Sequence, residues 1–281
     1  MLTFLEEFGY LTTWLLSAVV VYGRYLLLAG LAYFLFYRFG FGPARRKIQA
    51  TLPATARLRG ELKESATTAL VFGAVGLLIV ALRAQGFTLV YTDLDLYGWW
   101  YLPVSFVLLT VLHDAYFYWM HRLMHRSKWL RKIHAAHHGS YNPNPLTALA
   151  FHPLEALVEI AIIPVLLFVF PVHPLVLLLF GVWSLGWNII GHLGYELFPA
   201  GFISHPVGRY FNTSTHHNQH HVDGRYNFGL YFNYWDRWFG TNNPTYEQTF
   251  TRITGQLGDG ARVQEKGRGG RREREEWRKG S

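Results

Sequence analysis

The chain has 281 residues, of which 51% are hydrophobic, 17% aromatic and 16% charged. Soluble domains carry about 25% charged residues, so the composition argues against an ordinary soluble enzyme, and its apolar content excludes a disordered chain. There is no cysteine, which excludes disulfides, thiolate metal sites, iron–sulfur clusters and cysteine nucleophiles. The formal charge of +8 fits either a membrane surface or nucleic acid, and the placement of the charges has to decide between them.

Long runs without Asp, Glu, Lys or Arg predict membrane helices. Residues 11–37 contain a single such residue, Arg24, while residues 66–82 and 160–195 contain none. A bilayer core needs about 20 apolar residues per helix, and these runs are too long and too numerous for a buried soluble core. The expected fold is all-α, a polytopic membrane bundle of four to five spans or half-spans. The predicted spans are 11–37, 66–84, 97–119, 148–171 and 174–192, of which the last two form a tight hairpin around Pro171 and Pro174 and need not both cross fully.

The charged segments predict how this bundle is oriented. Residues 38–63, between the first two spans, and residues 122–132, after the third, are rich in Arg and Lys, whereas Asp93 and Asp95 lie between spans two and three. By the positive-inside rule the basic segments are cytoplasmic, and so is the chain beyond the last span. Basic loops beside membrane spans suit a membrane surface, so we expect no nucleic-acid partner.

Eleven of the 14 histidines fall into two short segments on this predicted cytoplasmic side. The sequences YWMHRLMH, HAAHH and HNQHH place histidines at spacings of three and four, which share one face of a helix. Imidazole binds zinc, copper, iron and nickel, and eight imidazoles exceed the needs of one ion, so two ions are expected. The candidate ligands are His121, His125, His134, His137, His138, His217, His220 and His221.

Weaker signals surround these histidines. His192 and Glu196 are spaced i, i+4 at the end of the last span, which makes His192 a further candidate ligand and Glu196 a candidate to support the site. Asp114 shares a helical stripe with His121 and is a candidate to orient an imidazole by accepting its hydrogen bond. His152, Glu155 and Glu159 are candidates for similar supporting contacts. His113 and His216 are predicted to face away from the ligand stripes, and no metal role is assigned to His173 or His205.

The segments HDAYFYWMHRLMH, IHAAHHG and THHNQHH, followed by NFGLYFNYWDRWFGT, resemble the fatty acid hydroxylase/sterol desaturase superfamily of integral-membrane di-iron oxygenases. The resemblance covers residues 97–245 and preserves the order of three histidine boxes. It implies that the eight histidines, with His192 favoured as a ninth, hold two iron ions, for which zinc can substitute in purified protein. It also implies an enzyme that uses O2 and two electrons to hydroxylate or desaturate a lipid of sterol or fatty acyl type.

Three regions are expected on this basis. Residues 1–96 form an N-terminal membrane anchor with a basic loop, residues 97–253 the catalytic domain with a cytoplasmic helical cap that carries the di-metal site, and residues 254–281 a disordered basic tail. No cysteine cluster or Gly-rich dinucleotide motif is present, so a separate reductase, ferredoxin or cytochrome is expected to supply electrons.

Three other functions compete with the oxygenase. A histidine-rich metal transporter, the main alternative, predicts ligands near the middle of spans, whereas these histidines lie at or beyond one end. A bis-histidine haem protein needs paired histidines within facing spans. A zinc hydrolase of the HExxH type lacks its motif here.

Overall fold

The computed structural model describes residues 2–42, 44–49 and 51–255, with side chains described from Phe8 onward. This part of the chain forms helices and contains no β-strand, only isolated pairings such as that of Lys47 with Tyr195. The predicted all-α class is therefore confirmed. The predicted disordered tail, residues 254–281, lies outside the described residues apart from its first two positions.

Within the described residues, four helices are long and apolar enough to cross a membrane. Many of their large apolar side chains are exposed, among them Val19, Leu27, Val107 and Leu178, as a surface in contact with lipid requires. The four are α1 (Leu2–Tyr33, continued by a π-helical turn over Phe34–Arg38), α2 (Thr55–Ala84), α3 (Tyr101–Arg126) and α7 (Pro174–His192).

The predicted span 148–171 is not one continuous helix. After a 3₁₀ turn, Pro145–Leu149, it forms two helices of eight residues, α5 (Pro153–Ile160) and α6 (Ile162–Val169). Each is about 12 Å long, too short to cross a hydrocarbon core of about 30 Å. Pro164 cannot donate to the carbonyl of Ile160, which explains why the helix breaks between them. One side of this apolar segment, including Ile163 and Leu167, packs in the core with α3 and α7, whereas Leu157, Val165 and Val169 are exposed.

Four shorter helices gather around the C-terminal ends of α3 and α7. Helix α4 follows α3 after one residue, Ser127, whose extended backbone redirects the chain and whose hydroxyl accepts a hydrogen bond from the N–H of Leu130. Thr213 caps α8 in the same way through the N–H of His216. The helices are α4 (Lys128–His138), α8 (Ser214–Val222), α9 (Tyr234–Trp238) and α10 (Tyr246–Thr254).

The first turns of α2 hold the segment that follows α4. Glu61 is fully buried and accepts hydrogen bonds from Ser140 Oγ (2.5 Å), Asn144 Nδ2 (2.8 Å) and Thr147 Oγ1 (2.9 Å). One turn earlier, Arg57 donates to Ser140 Oγ at 2.7 Å. The predicted second span began at residue 66, but good helix formers extend α2 back to Thr55. Glu61, in this charged part of the helix, thereby becomes part of the protein interior.

Replacing Glu61 by alanine is expected to lower the free energy of unfolding by about 3 kcal/mol or more, because three buried donors lose their acceptor. Chemical unfolding of the purified protein in detergent measures this. The matched control is Glu247→Ala, which removes an exposed carboxylate of α10 whose ion pair with Arg237 lies at the surface. Equal stability of the two variants would show that the buried network contributes little.

Candidate metal centre

All nine candidate histidines converge, and they do so in two groups. Within each group, one ring nitrogen of every residue lies within 4.8 Å of those of the other members, and all nine residues are at most 8% exposed. The first group comprises His121 and His125 of α3, His134 and His138 of α4, and His220 of α8. The second group comprises His137 of α4, His192 of α7, and His217 and His221 of α8.

Each HxxHH box is divided between the two groups. In α4, His134 and His138 belong to the first group, while His137 belongs to the second. In α8 the assignment is reversed: His220 belongs to the first group, while His217 and His221 belong to the second. Adjacent residues of a helix point about 100° apart, whereas residues i and i+4 differ by about 40°. One helix face therefore cannot serve a single ion with all three rings, and the two groups share both helices.

Backbone carbonyls fix the tautomers of the first group. Nδ1 of His121 lies 2.9 Å from the carbonyl oxygen of Phe228, and Nδ1 of His220 lies 2.6 Å from that of Tyr226. Because a carbonyl only accepts hydrogen bonds, each Nδ1 carries the ring proton and each Nε2 presents its lone pair. These Nε2 atoms lie 3.2 Å from Nε2 of His134 and 3.1 Å from Nε2 of His138, respectively.

The second group repeats this arrangement around His192. Its Nδ1 donates to the carbonyl of Asn188 at 2.7 Å, and Nδ1 of His137 lies 3.3 Å from the carbonyl of Ala150. Both Nε2 atoms then carry lone pairs, although they are only 3.1 Å apart. Two lone pairs cannot form a hydrogen bond, whereas a cation between them satisfies both. Two nitrogens each about 2.1 Å from one ion lie about 3.0–3.4 Å apart at ordinary coordination angles, so the residues fit a metal.

Burial keeps these rings in the form that binds metal. It lowers the pKa of His220 to about 3, so this ring is neutral at pH 7. Burial, together with neighbouring imidazoles, also lowers the pKa of the other candidate ligands on α4 and α8 well below the ordinary value of histidine. They are His134, His137, His138, His217 and His221. Neutral imidazole is the ligand form, so a metal does not have to displace a proton from Nε2.

The carboxylate of Glu155 contacts His134, an imidazole of the first group. Its Oε1 lies 2.6 Å from Nδ1 of His134, and the residue is fully buried at the start of α5. A carboxylate behind a histidine is a common way to orient the ring and to increase its basicity toward a metal. The sequence placed Glu155 among several candidates for such contacts. In the structure it lies in the first turn of α5 and faces His134 of α4.

Asp114 does not make the predicted contact with an imidazole. Its carboxylate accepts hydrogen bonds from the N–H of Tyr231 at 2.9 Å and from Nε1 of Trp235 at 3.1 Å. Although it shares a stripe with His121, seven residues of helix separate the two by about 10 Å. Asp114 instead holds the segment after α8 against α3.

Glu196 supports the site indirectly, because its hydrogen bonds are to Thr215 of α8 and not to a ligand ring. Helix α7 ends at His192, and Gly194, with φ of 71°, turns the chain, so the expected i, i+4 helical pair does not form. The carboxylate accepts hydrogen bonds from the N–H (2.9 Å) and Oγ1 (2.6 Å) of Thr215. It therefore anchors the first turn of α8, the helix that carries three of the nine histidines.

Asp236 stabilises the loop whose carbonyl holds His121. It accepts hydrogen bonds from the N–H groups of Phe228 (2.9 Å) and Gly229 (2.8 Å) and from Thr241 Oγ1 (2.8 Å). A Cβ at position 229 would lie 2.4 Å from the carbonyl oxygen of Phe232, so this turn requires glycine. The motif NFGLYFNYWDRWFGT thus contains both a carboxylate and the loop that it shapes.

The remaining five histidines lie outside both groups. Three precede proline, and their Nδ1 atoms accept a hydrogen bond from the backbone N–H two residues later, which begins a helix or turn; they are His152, His173 and His205. Nδ1 of His113 lies 3.1 Å from Tyr231 Oη, and Nε2 of His216 lies 3.6 Å from Asp236 Oδ2. The His-Pro dipeptides were the sequence signal for the capping role.

An apolar cavity of about 350 Å³ adjoins both groups. Phe117 and Phe151 line it, and their ring centroids lie 5.2 Å from that of His121 and 5.1 Å from that of His137, respectively. Asn188, whose carbonyl holds His192, also lines it. The walls come from α1, α2, α3, α5, α6 and α7, so the short re-entrant helices help to enclose this space. The polar lining residues are Arg24, His113, Glu159, Ser184 and Asn188.

The fold and the site define a helical integral membrane protein with a buried histidine site that could hold metal ions. Residues 106–241 match the family model described as fatty acid hydroxylase. Together with the relatives described next, this match confirms the resemblance to the fatty acid hydroxylase/sterol desaturase superfamily.

The similar curated proteins include enzymes named for sterols. A Delta(7)-sterol 5(6)-desaturase of Gibberella zeae is 31% identical over 160 residues, which is 57% of this chain and 48% of that protein. The lathosterol oxidase of Mus musculus is 35% identical over 158 residues (56% and 51%), and that of Homo sapiens 32% over 177 residues (61% and 58%). The chain thus spans about half the length of these relatives. No solved structure matches the chain.

Proposed function

We propose that this protein is a membrane oxidoreductase that hydroxylates or desaturates a lipid of sterol or fatty acyl type, with O2 and external electrons. The observation that carries the proposal is that an apolar cavity lies next to two groups of buried imidazoles, with the rings of Phe117 and Phe151 between them. The sterol enzymes among the relatives support a lipid substrate.

The nine histidines are the proposed metal ligands, five in the first group and four in the second. Imidazole nitrogen suits iron as well as zinc, so the proposed native occupants are two iron ions, and zinc is expected to compete in purified protein. When bound, such an iron pair supplies the O2 chemistry needed to attack an unactivated C–H bond.

The protein's own residues orient the ligands and exclude water. The carbonyls of Phe228, Tyr226 and Asn188 hold three Nδ1 atoms, which leaves each Nε2 directed into its group. Phe117 and Phe151 separate the groups from the cavity by one layer of aromatic rings. A lipid in the cavity would therefore present its C–H bonds to a dry site, where competing reactions with water are suppressed.

The proposed orientation places the histidine groups on the cytoplasmic side. The C-terminal end of α3, which carries His121 and His125, also carries Arg122 and Arg126, and Lys128 begins α4 directly after it. This basic end is cytoplasmic by the positive-inside rule. We expect a separate reductase, ferredoxin or cytochrome with an acidic surface to dock there and to supply electrons.

Lipid analysis tests the proposed function. Membranes from a host that expresses the wild-type protein should contain a lipid with one added oxygen atom or with two hydrogens fewer, in amounts that depend on O2 and reductant. The His192→Ala variant should lack this product. Metal flux into vesicles without any change in lipid would instead support the histidine-rich transporter.

A further inference from the structure

Arg24 is a charged residue in an otherwise apolar helix, and it lines the cavity. It is the only Asp, Glu, Lys or Arg in residues 11–37. Its Nε is buried and has no hydrogen-bond partner among the described residues. In that part of the chain, no ion pair joins it to Glu159, the carboxylate that lines the same cavity. A charge at membrane depth is costly, so a guanidinium there with a buried, unpartnered Nε indicates a role.

The guanidinium of Arg24 lies against α7 at Gly181. A Cβ at position 181 would lie only 2.5 Å from Nη1 of Arg24, so the absence of a side chain on Gly181 makes room for this contact. Gly181 also lines the cavity. The position of the charged group along the cavity is therefore known from its neighbour on α7.

One face of α7 runs from this contact to the second histidine group. Gly181, Ser184, Leu185 and Asn188 all line the cavity, and the next position on the same face is His192. Eleven residues of helix separate Gly181 from His192, which corresponds to about 16 Å. The cavity thus extends from Arg24 along α7 to Asn188, one helical turn before His192.

We propose that Arg24 binds the oxygen-bearing polar end of the lipid substrate, and that the site consequently acts on a carbon remote from that end. This inference rests on the proposed function and names a binding residue for it. A guanidinium has five donors in a planar fork, which a carboxylate can engage through two bonds and a hydroxyl through one. The ligand chemistry is therefore an acceptor oxygen on a long apolar body.

Direct lipid binding tests the proposal without any need for turnover. Radiolabelled stearate and radiolabelled cholesterol are the two probes, applied to protein in detergent both with and without added iron. Arg24→Gln is expected to weaken the binding of at least one probe by about 10- to 100-fold, because a charge-assisted hydrogen bond is lost. Arg24→Lys, which keeps the charge, should retain part of the affinity.

Gly181→Ala provides an independent variant. The added methyl group displaces only the end of a flexible side chain, so the fold should persist while the guanidinium moves away from its place in the cavity. The affinity should fall in Gly181→Ala, and the double variant with Arg24→Gln should be no weaker than Arg24→Gln alone. The control is Arg38→Gln, which removes an exposed arginine at the end of the same span.

The outcomes are distinct. Loss of stearate binding assigns a carboxylate to Arg24, and loss of cholesterol binding assigns a hydroxyl. Unchanged binding of both probes in Arg24→Gln, or no binding of either by the wild-type protein, would overturn the proposal. Failure of the proposed function would appear separately, as a wild-type protein that binds a lipid through Arg24 but neither retains iron nor changes any lipid.

Discussion

His137→Ala is expected to lose the metal ion of the second group and to abolish product formation. His137 is one of only four imidazoles there, and its Nε2 lies 3.1 Å from that of His192. Its removal leaves only three imidazoles, those of His217 and His221 lying 3.0 and 3.1 Å from Nε2 of His192. Metal analysis of the purified protein should show retention at the first group and loss at the second, because the five imidazoles of the first group do not include His137.

The control for this experiment is His205→Ala. His205 is exposed, precedes Pro206 and accepts a hydrogen bond from the N–H of Val207, so its loss should leave both the metal content and the product unchanged. His125→Ala is the complementary variant, because it removes a ring from the first group only. If His137→Ala retained full metal content and product, the assignment of the second group as a metal site would be wrong.

Glu155→Gln is expected to weaken metal binding at the first group by about 10- to 100-fold. The carboxylate lies 2.6 Å from Nδ1 of His134 and is fully buried. The amide keeps the shape of the side chain but loses the negative charge that strengthens the imidazole as a ligand. Competition with a chelator of known affinity measures the change, and the second group, which Glu155 does not contact, provides an internal reference.

Glu247→Gln is the matched surface control for this prediction. Its carboxylate is exposed and pairs with Arg237, away from both histidine groups. The two variants remove the same charge from the chain, so a general electrostatic effect would appear in both. An equal affinity in Glu155→Gln and Glu247→Gln would indicate that the contact with His134 is purely structural.

Local patterns in the sequence predicted the helices and the histidines, but they did not predict the contacts of Asp114 or the break in the run 148–171. The run 148–171 packs only one side against α3 and α7, and Pro164 interrupts it, so it forms two short helices. Asp114 lies on the predicted stripe, yet it accepts hydrogen bonds from Tyr231 and Trp235. Hydropathy cannot distinguish burial in protein from burial in lipid, and a shared stripe does not specify which neighbour a side chain meets.

The sequence by itself determined an all-α membrane protein with nine candidate imidazoles, because hydropathy and the spacings i, i+3 and i+4 are local properties of a helix. Only the tertiary structure decided that each HxxHH box serves two groups, that Glu155 supports His134, and that Arg24 faces the cavity beside Gly181. These contacts join residues far apart in the chain. They depend on which helix faces are brought together, and no short-range pattern encodes that information.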